Sequence, residues 1–393
     1  MHLQKKDVIL MAICTGLIVA NIYYIQPLIV LIAHSFHVPE NIAGSTTYLT
    51  QAGYAAGLLI LVPLGDMIER RKQIIATTLL AIIALVGVAT AQSFIALQIS
   101  CFFVGVGSIV PQLILPLAAT LSDPNQRGKV VGTVMSGLLV GILLSRTLSG
   151  AVAEWMGWRS MFWIAAILCS FLAIFMQKRF PKNHVSFQGH YGHLMHSLIQ
   201  LIKTQPVLRE ATAINMCCFA VFGSFWTTMV LHLSNAPFHY ASHQIGLFGI
   251  AGAAGAITAP FVGKLGDKGS PRKTIKMGLS LFLISIAVLY LGRDSLWFMI
   301  LGTILIDIAQ QSVHVTNQTR VYALLPEARN RLNTVFMSMS FVGTTLGSAL
   351  GLYLWKLAAW HGVMIGSITL VCFAWIIFMS TLPKKIAISK AIS

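Results

Sequence analysis

The sequence predicts an all-α integral membrane protein with twelve transmembrane helices in two pseudo-symmetric six-helix bundles. Apolar residues make up 56% of the 393-residue chain and charged residues only 10%, whereas a soluble domain carries roughly 25% charged residues. Apolar runs of about 20 residues recur along the chain, and each is long enough to cross a bilayer as a helix. A charged motif in the first half of the chain also returns, altered, in the second half.

This repeat pairs VPLGDMIERRK at residues 62–72 with GKLGDKGSPRK at residues 263–273, 201 positions apart. Further identities at an offset of 202 pair Met135 with Met337, Ser136 with Ser338, Gly141 with Gly343, and Trp158 with Trp360. Self-similarity over such a long period indicates two similar structural units. We therefore expect one six-helix bundle in residues 1–178 and another in residues 209–393, joined by a polar cytoplasmic linker at residues 179–208.

The predicted spans follow the apolar runs, separated by short polar turns. They cover residues 8–32, 42–64, 73–91, 94–121, 130–153, 160–177, 210–232, 244–262, 274–292, 296–319, 333–356 and 363–382. Paired glycines four residues apart, such as Gly137 and Gly141, predict helices whose backbones approach closely. The first run is too long for the core of a cleavable signal peptide.

The net charge of +16 is explained by membrane topology, so no nucleic-acid partner is predicted. If the N-terminus is cytoplasmic, 22 of the 27 Lys and Arg residues lie on the cytoplasmic side, three lie outside and two lie within spans. Cytoplasmic loops of membrane proteins are enriched in these residues. The pattern predicts a multi-pass protein of the cytoplasmic (inner) membrane with both termini inside, although ten or fourteen spans would give the same orientation.

The sequence shows no sign of an enzyme or of a cofactor site. It contains no phosphate-binding loop, catalytic triad or zinc signature, so ATP-driven pumping is not supported. All six cysteines lie in apolar runs without metal-ligand spacing. His190, His193 and His196 recur at every third residue in the linker. They leave open a metal site, but solvated loop histidines without acidic or cysteine neighbours are the simpler interpretation.

The motifs resemble those of the major facilitator superfamily over essentially the whole chain. The loop signature of that family, G-x-L-x-D-[RK]-x-G-x-[RK]-[RK], is matched by Leu64, Asp66, Arg70 and Arg71, and in the second copy by Gly263, Leu265, Asp267, Lys268, Arg272 and Lys273. The resemblance implies a cytoplasmic gate at these loops, where charged contacts hold one conformation closed. The alternative is that these charges only fix the topology.

Within this family, the chain looks most like bacterial exporters of drugs or metabolites that are driven by protons. Departures from the antiporter pattern are visible in two spans. Cys101 stands where an arginine is usual in the fourth span, and Ile142 stands where the fifth span usually has proline. Ser145 and Arg146 replace paired glycines. These departures keep an importer or a facilitator open as the alternative function.

Asp307 is the one acidic residue near the middle of an apolar run. It lies about 11 residues into the tenth predicted span, roughly 16 Å deep at 1.5 Å per residue. An ionised carboxylate at the bilayer centre costs at least ~2.5 kcal/mol, and residues that meet this cost are usually functional. Burial favours the neutral form of a carboxyl group, so we expect Asp307 to bind and release a proton. A packing carboxyl group satisfied by hydrogen bonds is the alternative.

Two further residues are candidates for the coupling of protons to transport. His314 shares a polar helix face with Asp307, and Arg146 is the other charge deep within a predicted span. We expect Arg146 to interact with Asp307 in one conformational state, the alternative being that its side chain reaches the outer interface. In the family, the first, fourth, seventh and tenth helices line the cavity. This implies a solute cavity with contributions from Asn21, Tyr24, Gln26, Gln112, Asn215, Trp226, Gln311 and Asn317.

Taken as a whole, the sequence predicts a secondary active transporter that works by alternating access. Its predicted partners are a small-molecule substrate, protons and the lipid bilayer, and we expect it to act as a monomer. The leading function is proton-coupled efflux of a small organic solute, with import or facilitated diffusion as the alternative. A membrane receptor or scaffold without transport activity is the alternative from a different functional class.

Overall fold

The computed structural model describes residues 4–123, 126–180, 190–252, 270–325 and 328–381. These residues form helices joined by short turns, and no strand is present among them. The helices are α1 (Lys5–Ala20), α2 (Ile29–Phe36), α3 (Glu40–Ala43), α4 (Ser45–Leu64), α5 (Arg70–Thr90), α6 (Phe94–Gly107), α7 (Val110–Leu121), α8 (Arg127–Met156), α9 (Trp158–Arg179), α10 (Tyr191–Thr204), α11 (Pro206–Ser234), α12 (Ser242–Ala251), α13 (Pro271–Leu291), α14 (Leu296–Tyr322) and α15 (Arg329–Ser380).

Nine helices in the described part of the chain are long and apolar enough to cross a membrane. The all-helical membrane fold predicted from the sequence is thereby confirmed. The first predicted span is interrupted after Ala20, and the eighth begins as α12 and continues outside the described residues. The last two spans lie within α15, where Ala358 and Ala359 have non-helical backbone angles that separate two helices. This arrangement is consistent with twelve spans.

Local sequence explains where several helices begin and end. Ser93 caps α6 by accepting a hydrogen bond from the backbone N–H of Ala96 at 3.2 Å, which satisfies one of the free N–H groups of a first turn. Proline occupies the first turn of α7, α11 and α13, where its missing N–H leaves no bond unmade. Gly157 ends α8 with φ of 82°, a backbone conformation that glycine adopts without strain.

The two halves of the chain repeat the same local contacts. Arg71 donates a hydrogen bond to the backbone carbonyl of Gln177 at the end of α9. Arg272, 201 residues later, donates to the carbonyl of Phe378 at the end of α15 at 2.7 Å. A positive φ recurs at Gly157 and Ala359, immediately before the corresponding residues Trp158 and Trp360. The sequence repeat therefore reflects a pseudo-symmetric fold.

Close helix packing at glycine is also repeated. A Cβ atom added to Gly141 would overlap the backbone of Gly16, which packs α8 against α1. A Cβ atom added to Gly347 would overlap the backbone of Ala220, which packs the first part of α15 against α11 in the same way. The small-residue spacing read from the sequence thus marks close helix contacts within each half.

The bundle has two distinct ends, which we name by their charge. The basic end carries Arg70, Arg71, Arg272 and Arg320. The start of α1 and both ends of α15 lie there. The opposite end carries the α8–α9 turn and the end of α11. The linker contains a helix, α10, where the sequence indicated only a polar segment. Leu194, Leu198 and Leu201 form its buried apolar face. Leu198 and Leu201 pack against apolar residues of the second half.

Candidate functional site

The centre of the bundle holds Arg146 between two aromatic rings. Its side chain is buried, with 4% of the residue exposed. The guanidinium carbon lies 4.0 Å from the ring centroid of Trp226 and 4.7 Å from that of Tyr23, and Nε donates a 2.7 Å hydrogen bond to Oε1 of Gln26. A desolvated cation–ring contact is worth up to ~2 kcal/mol. Arg146 therefore connects the first half of the chain to Trp226 in the second half.

Asp307 lies next to this cluster and is 8% exposed. A Cβ atom on Gly252 would be 3.1 Å from Cζ2 of Trp226 and 3.5 Å from Oδ1 of Asp307, so the two side chains meet above this glycine. Oδ2 of Asp307 and Nε1 of Trp226 are buried without a hydrogen-bond partner of normal geometry. Arg146 and Asp307 interact electrostatically, but in this conformation the guanidinium bonds to Gln26 and forms no direct ion pair with the carboxylate.

A small cavity adjoins the cluster and lies between the two halves of the chain. Its lining is aromatic, amide and hydroxyl-bearing: Tyr23, Gln26, Gln51, Phe219, Phe222, Gly223, Trp226, Phe341 and Thr344. None of these described lining residues carries a charge at neutral pH. Such a mixture of flat apolar surface and a few polar groups is typical of a small-molecule site.

The first predicted span contributes a different face from the one the sequence indicated. Gln26 lines the cavity as expected. Asn21 instead donates a 3.6 Å hydrogen bond to Sγ of Cys169 in α9, and Tyr24 is buried beside the same cysteine. Tyr23 takes the cavity position instead. The reason is local: α1 ends at Ala20, and a turn rotates the following residues, so helical periodicity does not carry across.

The other predicted cavity residues are distributed over several places. Trp226 lines the cavity, whereas Asn215 donates to Oγ of Ser340 and joins α11 to α15. Gln112 lines a cleft at the basic end. Gln311 is half-buried on α14 and lines neither the cavity nor this cleft.

The predicted cavity residue Asn317 and the coupling candidate His314 both lie on α14, between the centre and the basic end, and neither lines the cavity. Asn317 accepts a 2.9 Å hydrogen bond from Arg320. The His314 ring lies between those of Phe219 and Phe336, with centroid separations of 5.2 and 5.5 Å. His314 is therefore placed behind Phe219, which itself faces the cavity.

The predicted loop motif lies at the basic end. Asp66 accepts from Arg70 at 3.1 Å, and both residues line a cleft of about 400 Å³ whose other wall is formed by Asn330, Arg331, Asn333 and Thr334 of the second half. The second copy of the motif is only partly described. Arg272 is placed, but Gly263, Asp267 and Lys268 lie outside the described residues.

A buried ion cluster at the basic end was not anticipated. Glu210 of α11 is 8% exposed, and its carboxylate lies 3.1 Å from Arg320 and 3.8 Å from Arg272. The sequence placed Glu210 at a helix end, where a solvated charge is the usual expectation. Its burial arises because three helices of the second half converge there, which no local pattern reveals.

At the opposite end, the two halves are in direct contact. Oγ1 of Thr147 in α8 donates a 2.8 Å hydrogen bond to the carbonyl of Gly246 in α12. Added Cβ atoms would lie 2.5 Å from Ser242 O at Gly150 and 2.7 Å from Arg146 O at Gly246. The opposite end is thus closed between α8 and α12, whereas the basic end retains the 400 Å³ cleft.

The linker histidines form no metal site in the part of the chain that the structure covers. The rings of His190 and His193 have centroids 6.1 Å apart, and no group of three potential ligands is placed to hold a metal ion among residues 4–123, 126–180, 190–252, 270–325 and 328–381. Tyr191, on the same helix, donates a 2.8 Å hydrogen bond to the carbonyl of Ile60 in α4. Partial burial raises the pKa of its phenol, which keeps this donor protonated.

Sequence comparison finds relatives along nearly the whole chain. The family model described as "Major Facilitator Superfamily" matches residues 11–241 and 211–391. An uncharacterized transporter, YgaY, of Escherichia coli O157:H7 is 41% identical over 369 residues, which is 94% of each chain. The probable transporter SCO4007 of Streptomyces coelicolor is 29% identical and covers 90% of this chain and 82% of its own. A probable sugar efflux transporter of Helicobacter pylori strain G27 is 23% identical, with 90% of each chain covered.

Solved structures with the same fold share little sequence with this chain. A bacterial homolog of the human lysosomal transporter Spinster, in an inward-facing and unoccupied conformation, superposes with a TM-score of 0.78 at 14% identity, covering 95% of both chains. The human organic anion transporter MFSD10 superposes with a TM-score of 0.68 at 15% identity, covering 94% of this chain and 98% of its own.

Proposed function

Because the chain belongs to the Major Facilitator Superfamily, and is therefore a multi-pass membrane transporter and not an enzyme, we propose that it exports a small, uncharged organic solute in exchange for protons. It acts as a monomer in the inner membrane, with the basic end in the cytoplasm. One observation carries the proposal: a buried carboxyl group, Asp307, meets Trp226, whose ring also lines the solute cavity.

Alternating access is supported by the unequal contacts at the two ends. The opposite end is closed by backbone-level packing between α8 and α12, while a cleft separates the halves at the basic end. In this conformation the cleft between the halves lies at the basic end, while Arg146, Trp226 and Asp307 at the centre stay buried. Export then requires the α8–α12 contact to open and the cleft to close, by rocking of one bundle against the other around the central site.

The cavity lining supports an uncharged solute. Phe219, Phe222 and Phe341 offer apolar faces, and the amides of Gln26 and Gln51 offer hydrogen bonds, without a charge among the described lining residues. Flat apolar faces with a few amides suit aromatic compounds and the apolar faces of sugars. The efflux of sugars named for the Helicobacter pylori relatives supports both this class of solute and the outward direction.

Trp226 provides the physical connection between solute and proton. Its ring lines the cavity on one side and stacks on the Arg146 guanidinium, 4.0 Å away. When Asp307 is ionised, its attraction for Arg146 competes with the hydrogen bond from Arg146 to Gln26. When Asp307 is protonated, Arg146 is held by Gln26 and the two rings alone. Protonation of Asp307 therefore changes what holds Arg146 and, through Arg146, the Trp226 ring that lines the cavity, so the proton site and the solute site are coupled.

The proton gradient is large enough to drive such export. One elementary charge moving through 100 mV releases about 2.3 kcal/mol. Since a tenfold concentration ratio corresponds to about 1.4 kcal/mol, one proton per solute sustains a gradient of roughly 40-fold.

The experiment is solute flux in proteoliposomes under an imposed pH gradient, using a panel of radiolabelled neutral sugars and neutral aromatic compounds. We expect the wild-type protein to accumulate at least one panel member against its gradient, and Asp307→Asn to abolish this accumulation. Downhill flux that is independent of pH would instead identify a facilitator. No flux of any compound across the panel would favour a protein without transport activity.

A further inference from the structure

Four polar residues form a stripe along one side of α14. Asp307, Gln310, His314 and Asn317 follow one another at intervals of three, four and three residues, which keeps them on one helix face. At 1.5 Å per residue the stripe extends for roughly 15 Å. The stripe ends with Asn317 near the basic end, where Oδ1 of Asn317 accepts a 2.9 Å hydrogen bond from Arg320.

Every residue of this stripe has a buried polar atom that lacks a hydrogen-bond partner of normal geometry. These atoms are Oδ2 of Asp307, Oε1 and Nε2 of Gln310, Nδ1 of His314 and Nδ2 of Asn317. Gln310 is 3% exposed and Asn317 is fully buried. Buried polar groups in native proteins almost always bond to protein or to ordered water, so a continuous line of four exceptions calls for a common explanation.

Other polar residues of the same helix do not share this property. Thr303, Ser312 and Thr316 each bond to the backbone carbonyl four residues earlier, at 2.7 to 2.8 Å. The unpartnered atoms are therefore confined to the stripe and are not a general feature of α14. A polar, internal line with donors and acceptors at each step satisfies the conditions under which buried water binds.

The stripe is separate from the solute cavity. None of its four residues lines that cavity. Phe219 stands between them, since its ring lines the cavity and also contacts the His314 ring, with 5.2 Å between centroids. Phe336 stacks on His314 at 5.5 Å. A solute in the cavity and water along the stripe would thus occupy different spaces.

We propose that this stripe lines a hydrated proton path that connects Asp307 with the basic end, independently of the solute cavity. The inference rests on the proposed role of Asp307 as the proton site. Each transfer breaks one O–H or N–H bond and forms another, so the path needs no other reactant. Gln310 and Asn317 order water, and His314 passes a proton from one ring nitrogen to the other.

The charged and titratable groups around the path are placed at its two ends. Asp307 faces Arg146 of α8 and Tyr23 of the first predicted span. At the basic end, Arg320 binds Glu210, which Arg272 also approaches. His314, in the middle, is flanked by the two phenylalanine rings.

Infrared spectroscopy tests the path without a solute. In lipid films of the purified protein, the C=O stretch of protonated Asp307 is the band that Asp307→Asn removes. Transfer from H₂O to D₂O shifts this band when the proton exchanges. We expect exchange within seconds in the wild type and at least tenfold slower exchange in Gln310→Leu. The matched control is Gln311→Leu, the adjacent half-buried amide, which has no buried unpartnered atom and should exchange at the wild-type rate.

Thiol labelling gives a second measurement, which does not require the variants to exchange protons or to transport a solute. In a background without the six natural cysteines, Gln310→Cys should react with methanethiosulfonate ethylammonium. Val313→Cys, at similar depth but packed against Gly278, should react at least tenfold more slowly. Equal rates for the two thiols would overturn the path.

The infrared outcomes distinguish the failure of the path from that of the proposed function. If Gln310→Leu exchanges as fast as the wild type while Asp307→Asn abolishes proton-driven flux, the path is refuted and the function stands. If no Asp307 band is found between pH 4 and 9, Asp307 is not a proton site and both inferences fall.

Discussion

The contact between α8 and α12 makes a sharp prediction about the conformational cycle. Gly150 of α8 faces α12 of the other half, where an added Cβ atom would lie 2.5 Å from Ser242 O and 3.1 Å from the Cα atom of His243. This contact is present while the opposite end is closed and is lost when that end opens. Gly150→Val should therefore destabilise the closed conformation selectively and shift the population toward the open one.

The size of the shift follows from the geometry. Favourable contacts between non-bonded carbon atoms occur at roughly 3.5 Å, so the two helices must move apart by about 1 Å. Overpacking of this kind costs about 1–3 kcal/mol. The displacement also weakens the hydrogen bond from Thr147 to Gly246 O, now 2.8 Å, which contributes about 1 kcal/mol. A total of about 2–4 kcal/mol corresponds to a 30- to 700-fold change in the ratio of closed to open protein.

Distances between spin labels at Trp155→Cys and Ala241→Cys report the separation of the two helices at this end, after exposed Cys372 has been replaced by serine. We expect the short distance of the parent protein to be largely replaced by a longer one in Gly150→Val. Gly132→Val is the matched control, since it makes the same change in α8 where no atom lies within 4 Å of the added Cβ. An unchanged distance distribution in Gly150→Val, or an equal shift in the control, would refute the reasoning.

Three further predictions concern single side chains. Arg272→Ala removes hydrogen bonds to two backbone carbonyls at the end of α15, which contribute about 2–4 kcal/mol to stability. The substitution should lower the thermal unfolding midpoint measured by scanning fluorimetry. A decrease in midpoint no larger than that of Lys276→Ala, at an exposed position, would contradict this. Arg146→Lys retains the charge but not the planar group that stacks between two rings, so proton-driven flux in proteoliposomes should fall at least tenfold, and wild-type flux would contradict the role of stacking. Tyr23→Ala should reduce that flux at least tenfold, because Tyr23 lines the cavity. Tyr24→Ala should leave the apparent affinity for the solute within twofold. A strong effect of Tyr24→Ala with little effect of Tyr23→Ala would show that the other face of this segment lines the cavity.

The sequence was most informative where one residue contradicts its surroundings. Asp307 could be identified because a carboxyl group within an apolar run is rare, and the structure places it at the centre of the bundle. Trp226 and Gln26 were also anticipated and line the cavity. Tyr23 was not, because the choice between it and Tyr24 depends on the turn that follows α1, and periodicity assigns faces only within an unbroken helix.

Contacts between distant helices were the least predictable. The sequence predicts that Arg146 interacts with Asp307 in one conformational state, and in the present conformation the guanidinium lies between Tyr23 and Trp226 and bonds to Gln26. Glu210 looked like a solvated charge at a helix end. Its burial with two arginines depends on the convergence of α11, α13 and α14, which are separated by many residues along the chain.

By itself, the sequence determined that the chain is helical and spans a membrane, that it consists of two similar halves, and that one carboxyl group lies deep within it. These properties follow from composition, from the length of apolar runs and from a repeat, all of which are local or periodic along the chain. The tertiary structure decided which side chains meet, which end is closed, and that the polar face of α14 lies behind Phe219 and not in the cavity. These properties depend on the relative positions of the helices. Packing across the bundle sets those positions, and such packing produces no periodic pattern in the sequence.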